Sequence, residues 1–255
     1  MIEVKNIQKS FADQMVLKGV STVFETGKTN LIIGQSGSGK TVLLKSLLGI
    51  HTPESGEIVF DGRTYANLNP NERRELRTEI GMVFQGSALF DSMTVAENVG
   101  FPLKMFTAKT KSEIDERVNF VLKRVNLVNA DKKLPSEISG GMQKRVAIAR
   151  AIVNNPKYLF CDEPNSGLDP NTSILIDNLI MEITEEYDIT TVVNTHDMNS
   201  VMEIGQNIVF LKNGLKEWQG NKEQIFLTDN QAVTDFVYSS NLFKKVREAY
   251  LLSNK

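Results

Sequence analysis

The stretch Leu31-Ile32-Ile33-Gly34-Gln35-Ser36-Gly37-Ser38-Gly39-Lys40-Thr41 decides the reading of this chain. A short apolar burst runs into a glycine-rich loop, and Thr41 to Ile50 then reads as a helix. The order matches G-x-x-x-x-G-K-[ST] in the strand–loop–helix context that the pattern requires. Glycines let a backbone wrap closely around phosphates, and loop N–H groups together with a helix N-terminus hold the negative charge. Lys40 is expected to reach the β- and γ-phosphates of a nucleotide and Thr41 to coordinate Mg²⁺.

Working outward, residues 2–33 carry apolar bursts (Ile2 and Val4, Val16-Leu17, Val20 to Phe24, Leu31 to Ile33) separated by Gly19 and Gly27. They read as strands, the last feeding the glycine loop. Gly56 to Gly62 is a further strand, so the first part is β-rich around a strand–loop–helix unit. Asn69-Pro70-Asn71-Glu72 has the composition of a capped helix start, and the mixed charges from Glu72 to Arg77 read as a solvated helix face. Thr94 to Val153 is largely helical in pattern. Within Lys111 to Val125, Ile114, Val118, Val121, Leu122 and Val125 fall at three- and four-residue spacing. A helix over Ser139 to Asn154 ends before Pro156, and strand, helix and strand follow (Tyr158 to Cys161, Asn171 to Glu186, Thr190 to Asn194). This alternation implies a parallel sheet. Ile208 to Gln219 reads as a hairpin turning at Asn213-Gly214. In the tail from Asp229, Leu242, Phe243, Val246, Tyr250 and Leu251 share a helical stripe suited either to its own domain or to a partner chain.

The 255 residues suffice for one large α/β domain with a subdomain. With 41% apolar and 24% charged residues, the composition is that of an ordinary globular protein. A net charge of −2 and a pI of about 5.8 argue against general nucleic-acid binding. No apolar run reaches membrane-spanning length, and Met1-Ile-Glu-Val-Lys5 opens without an apolar signal region. The expectation is a cytosolic chain that meets a membrane only through a partner. The single cysteine, Cys161, fits a reducing compartment.

Further candidates for chemistry follow strands. Tyr158 to Cys161 ends in Asp162-Glu163, and ligands of parallel sheets gather at the carboxyl ends of strands. Successive strand residues point different ways, so Asp162 suits Mg²⁺ and Glu163 suits orienting and deprotonating an attacking water. Gln85, after Ile80 to Phe84, could complete the Mg²⁺ shell and sense the γ-phosphate. His196, after Thr191 to Asn194, could bond the γ-phosphate or the water; His51 reads as structural. Ser139-Gly140-Gly141 opens a helix with a second set of phosphate-facing N–H groups. A chain that already has a phosphate loop uses such a corner best to complete the site of another copy.

These positions, taken in order, resemble the ATPases of ABC (ATP-binding cassette) transporters over about residues 2–228. The phosphate loop is Gly34 to Thr41, the Q-loop Gln85, and the signature Ser139-Gly140-Gly141-Met142-Gln143. The acid strand ends at Asp162-Glu163, the D-loop is Ser166-Gly167-Leu168-Asp169, and the H-loop is His196. The resemblance implies a P-loop NTPase (RecA-like) fold: a mostly parallel sheet core, an N-terminal antiparallel β subdomain and an inserted helical subdomain at about 87–155. It implies ATP with Mg²⁺, catalytic roles for Glu163, His196 and Lys40, and metal contacts from Thr41, Gln85 and Asp162. Nucleotide contacts are implied from the loop through Val42, and from Gln143 and Asp169. Phe11 matches the aromatic residue that stacks on adenine, which needs no hydroxyl. A head-to-tail homodimer would hold two ATP molecules, each loop facing the partner's signature. Asn165 departs from the Thr common after Glu-Pro.

Phe84 to Leu103, with Gln85-Gly86-Ser87-Ala88-Leu89-Phe90-Asp91, is similar to the ATPase of Mla (maintenance of lipid asymmetry) and Mce-type phospholipid transporters. So is an extension such as 229–255, which helps hold the dimer in that group. The implied partners are an integral permease and an Mce-domain lipid-binding protein, with the ATPase peripheral on the cytoplasmic face of the bacterial inner membrane. The same fold also serves lipoprotein release, cell division and small-molecule import. Soluble ribosome or DNA-repair factors of this fold usually join two cassettes or carry a coiled coil. A P-loop kinase or GTPase leaves Ser139-Gly140-Gly141 without a role.

Overall fold

A computed structural model describes residues 1–238, 243–247 and 250. In chain order the elements are β1 (Ile2–Phe11), β2 (Gln14–Phe24), β3 (Thr29–Ile33), α1 (Lys40–Leu47), β4 (Ser55–Phe60) and β5 (Arg63–Thr64). Then come α2 (Pro70–Thr78), β6 (Ile80–Val83), α3 (Val95–Phe106), α4 (Lys111–Arg124), α5 (Gly140–Ile152), β7 (Tyr158–Asp162), α6 (Pro170–Glu186) and β8 (Thr190–Asn194). The chain closes with α7 (Met198–Ile204), β9 (Asn207–Lys212), β10 (Leu215–Gly220), α8 (Gln224–Leu227) and α9 (Gln231–Val237). Two compact units emerge, residues 1–67 with 194–255, and residues 68–193.

In the first unit, β2, β1, β4 and β5 form an antiparallel sheet in that spatial order. The burial of β2 alternates over its second half, as a strand with one solvated face requires. In contrast, β3 is buried at every position, its polar Thr29 and Asn30 included, and β9 runs parallel beside it, as in a strand covered on both faces. The β9–β10 hairpin turns at Asn213 (φ 52°) and Gly214 (φ 81°), two left-handed residues that match the twist of the strands. Helix α1 stops at Leu47 rather than Ile50, because Gly49 turns left-handed (φ 68°) and the Ile50 N–H reaches back to the Lys45 carbonyl. The described part of the tail packs on its own chain. Arg247 donates to the carbonyls of Phe226 and Thr228, and Tyr250 stacks on Phe226 at 4.9 Å between ring centroids. Val246 is 39% exposed. Leu242 and Leu251 of the proposed stripe lie outside the described residues.

In the second unit, β6 and β7 pair in parallel, with β8 on the other side of β7. Side chains set the helix starts. Asn69, Thr94 and Thr110 each accept N–H bonds from the first turn, while Glu72, Glu97 and Glu113 return to the cap N–H. Helix α4 buries Ile114, Val118, Val121 and Leu122, the stripe expected from spacing. Gly100 of α3 lets it approach closely, since a Cβ there would meet Val118 at 3.2 Å and Ile114 at 3.3 Å. Gly81 of β6 plays the same part against α5, where a Cβ would meet the Ala151 carbonyl oxygen at 2.3 Å.

Asn98 ties the segment before α3 to the helix. Its Oδ1 accepts from the Phe90 N–H at 2.8 Å, and its Nδ2 lies 3.1 Å from each of the Phe90, Met93 and Thr94 carbonyls. The side chain is fully buried. Asn98→Ala strands these groups away from water and is expected to lower the unfolding free energy by about 2–4 kcal/mol in urea titration.

Candidate active site

The phosphate loop leaves β3 through Gly34 (φ 148°), where a Cβ would meet the Leu211 carbonyl oxygen at 2.2 Å and Ser38 Oγ at 2.8 Å. Gly37 (φ 78°) and Gly39 (φ 105°) complete a path that side-chain-bearing residues rarely follow. Gly39 caps α1 with no side-chain acceptor, and the first turn holds no acidic residue. The first N–H groups of α1 are thus left to an incoming anion. Gln35, Ser36 and Gly37 are exposed, and Ser38 Oγ is buried without a hydrogen-bond partner among the described residues. The hairpin braces this loop from its own unit: the Gly214 N–H donates to the Ser38 carbonyl at 3.1 Å. Lys40 is 7% exposed, and its Nζ arches back to the carbonyls of Gly34 (2.8 Å) and Gln35 (3.1 Å).

Thr41 Oγ1 accepts from Asn194 Nδ2 at 3.3 Å, and Val42 follows half-buried. Asn194 was legible in the sequence only as the end of a strand; its amide orienting the threonine hydroxyl is new. The Thr195 N–H bonds the Ile32 carbonyl at 3.1 Å, which brings exposed His196 to the carboxyl end of β3. Phe11 is 42% exposed at the end of β1. The His51 ring stands edge-on at 5.1 Å and Lys9 Nζ lies 5.2 Å from its ring centroid. Lys9 is fixed by Glu54 at 2.6 Å.

The acid strand and the signature lie in the other unit. Asp162 ends β7, and Glu163 follows in the left-handed region (φ 45°), an unusual conformation for a residue with a side chain. Gln85 Nε2 donates to Glu163 Oε2 at 2.9 Å and lies 3.4 Å from Ser166 Oγ. The amide and the carboxylate singled out separately in the sequence are therefore partners. Cys161 beside them is fully buried, and burial, with Asp177 and Asp162 nearby, pushes its thiol well above the usual range. It is inert by this measure.

Ser139 caps α5, its Oγ accepting from the Met142 N–H at 3.3 Å. Gly140 and Gly141 follow at the surface, and a Cβ on Gly141 would meet Thr172 Cγ2 at 2.8 Å. Gln143 turns inward, donating to the Pro135 carbonyl at 3.0 Å. Asp169 caps α6 through the Thr172 N–H (3.1 Å) and hydroxyl (2.5 Å), and these bonds hold its carboxyl below the usual range. Ser139, Gly140, Gly141, Asn126, Arg145 and Asp169 help line an open cavity of about 600 Å³. Hydroxyl, amide and carboxylate oxygens at Thr41, Gln85 and Asp162 are hard donors, the kind Mg²⁺ takes alongside water and phosphate oxygens. No group of three His, Cys, Asp or Glu side chains poised for a metal occurs among the described residues.

Comparison with known proteins gives a consistent picture. The ABC transporter family matches over residues 17–166. A probable ribonucleotide transport ATP-binding protein, mkl, of Mycobacterium leprae is 39% identical over 92% of this chain and 68% of its own length. A methionine import ATP-binding protein, MetN, of Clostridium tetani is 41% identical over 89% of this chain and 71% of its own. Among solved structures, the dimeric bacterial ABC transporter cassette MJ0796 superposes with a TM-score of 0.79 at 34% identity, covering 87% of this chain and 99% of that one. Clostridium perfringens cbiO1, part of the cbiONQ transporter complex, gives 0.83 at 31% identity, covering 100% and 98%. The fold is that of a P-loop NTPase cassette, as the sequence implied.

Gly34→Ala places a methyl group against the Leu211 carbonyl and demands a forbidden φ. It is expected to weaken nucleotide binding by at least about tenfold, read by fluorescent-nucleotide titration of the folded variant.

Proposed function

Because this chain belongs to the ABC transporter family and is the ATPase of a transport system, we propose that two copies close head-to-tail on two ATP molecules and drive a membrane permease. The observation that carries this reading is the Ser139-Gly140-Gly141 corner opening on a broad cavity in a chain whose phosphate loop is built elsewhere. In this reading Lys40 leaves the Gly34 and Gln35 carbonyls for the β- and γ-phosphates. Phe11 stacks on adenine. The N–H groups of Ser139 to Gly141 meet the γ-phosphate held by the other copy, with Gln143 and Asp169 bordering that contact. Thr41, Gln85 and Asp162 would hold Mg²⁺, which when bound would supply charge neutralisation at the phosphates. Glu163 orients the water and takes its proton as the water oxygen attacks the γ-phosphorus, the bond from that phosphorus to the β–γ bridging oxygen breaks and ADP leaves with the electron pair, and His196 bonds the γ-phosphate. The cassette is residues 1–228 with a helical subdomain at about 87–155, and residues 229–255 are an extension.

A second surface supports a permease partner. Phe84, Phe90, Phe101, Pro102 and Phe106 line a groove of about 260 Å³ in the second unit, an exposed aromatic patch suited to a helix of another protein. Among the described residues no helix is long and apolar enough to cross a membrane, so attachment to the cytoplasmic face of an inner membrane would come through that permease.

The cargo we propose is phospholipid, moved between bacterial membranes with an Mce-domain partner. The support is the Gln85 to Asp91 segment and its Mla-type likeness. Small-molecule import is the second reading, favoured by the 41% identity to a methionine import ATPase. Purifying the native complex separates them: an Mce-domain subunit with bound phospholipid supports the first, and an amino-acid-binding subunit supports the second. For the chemistry, Glu163→Gln is expected to bind Mg-ATP, to accumulate as a dimer by light scattering, and to lose at least about 100-fold in turnover. Turnover at the wild-type rate would contradict the role given to Glu163.

A further inference from the structure

Two cations of α5, buried Lys144 and half-buried Arg150, reach the loop that carries Gln85. Lys144 Nζ donates to the Gln85 carbonyl. Arg150 spreads its guanidinium over the next residues, Nη2 to the Ser87 carbonyl at 2.6 Å and Nη1 to the Ala88 carbonyl at 2.7 Å. Ser87 (φ 62°) and Ala88 (φ 48°) are both left-handed, and neither is glycine. Two such residues in succession persist only where surroundings over-determine them. Local bonds alone are short turns, the Ser87 N–H to the Phe84 carbonyl and the Ala88 N–H to the Gly86 carbonyl.

Resting on the ATPase reading above, we propose that Arg150 is a positioning residue: its fork holds Ser87 and Ala88 in their strained turn and thereby aims the Gln85 amide at Glu163. The geometry suits arginine alone. A planar fork satisfies two carbonyls at once, whereas a lysine ammonium on a flexible stem is a point charge. The clamp also joins three parts of one unit. Arg150 sits on the helix that Ser139 opens, it borders the aromatic groove, and it holds the loop whose side chain bonds Glu163.

A double-mutant cycle tests this. Arg150→Lys keeps the charge but not the fork. It is expected to lower turnover at least about fivefold with fluorescent-nucleotide affinity within about twofold of wild type, and to raise the Mg²⁺ concentration for half-maximal rate. In a Gln85→Ala background, which removes the group being aimed, the same substitution is expected to change turnover by less than about twofold. Wild-type turnover in Arg150→Lys would overturn the proposal. So would an equal loss in both backgrounds, which is the result of a merely structural role. The ATPase reading is judged separately in the same assay, by loss of turnover in Glu163→Gln.

Discussion

Helix α1 begins without an acceptor of its own, and much of the rest is arranged around that fact. Elsewhere the chain caps its long helices with side chains: Asn69, Thr94, Thr110, Ser139 and Asp169 each take N–H bonds from the first turn. At α1 the cap is Gly39, where a Cβ would press on Leu17 Cδ2 at 2.9 Å and where φ is 105°. A serine or aspartate cap would be strained there by the positive φ. The carbonyls of Gly34, Gln35 and Ser38 are already taken by Lys40 Nζ and by the Gly214 N–H. The loop is therefore rich in donors and short of acceptors, and an anion is the partner it lacks.

The second unit solves a different problem, holding an amide and a carboxylate in register at the end of β7. Glu163 and the Ser87–Ala88 pair are bent into the left-handed region, and each sits in a web of bonds that fixes it. Close approach of α5 to β6 at Gly81 places the Lys144 and Arg150 side chains over the loop. Strain at the site is thus carried by a helix whose first residues are the signature. The helix that Ser139 opens thus also braces the loop whose amide meets Glu163.

The sequence was most legible where the cause is local. The Asn69 cap with its Glu72 return, the Asn213-Gly214 hairpin and the buried stripe of α4 each follow from neighbours within a few residues, and each is present. The phosphate loop was readable for the same reason, since its glycines answer a backbone requirement. What escaped depends on long reach. Asn194 meets Thr41 from 153 residues away, and Arg150 meets Ser87 from 63. Gln143 could be placed in the signature, but not its turn toward Pro135. Nothing in a helical run such as Lys144 to Arg150 marks which cations bond loop carbonyls.

The claim that two chains share each ATP site is tested most directly by measuring ATP turnover per chain and molecular mass together over a dilution series. The account predicts a rate that falls in step with the dimer fraction and vanishes as the chain becomes monomeric. A monomer hydrolysing ATP at the full rate would contradict it.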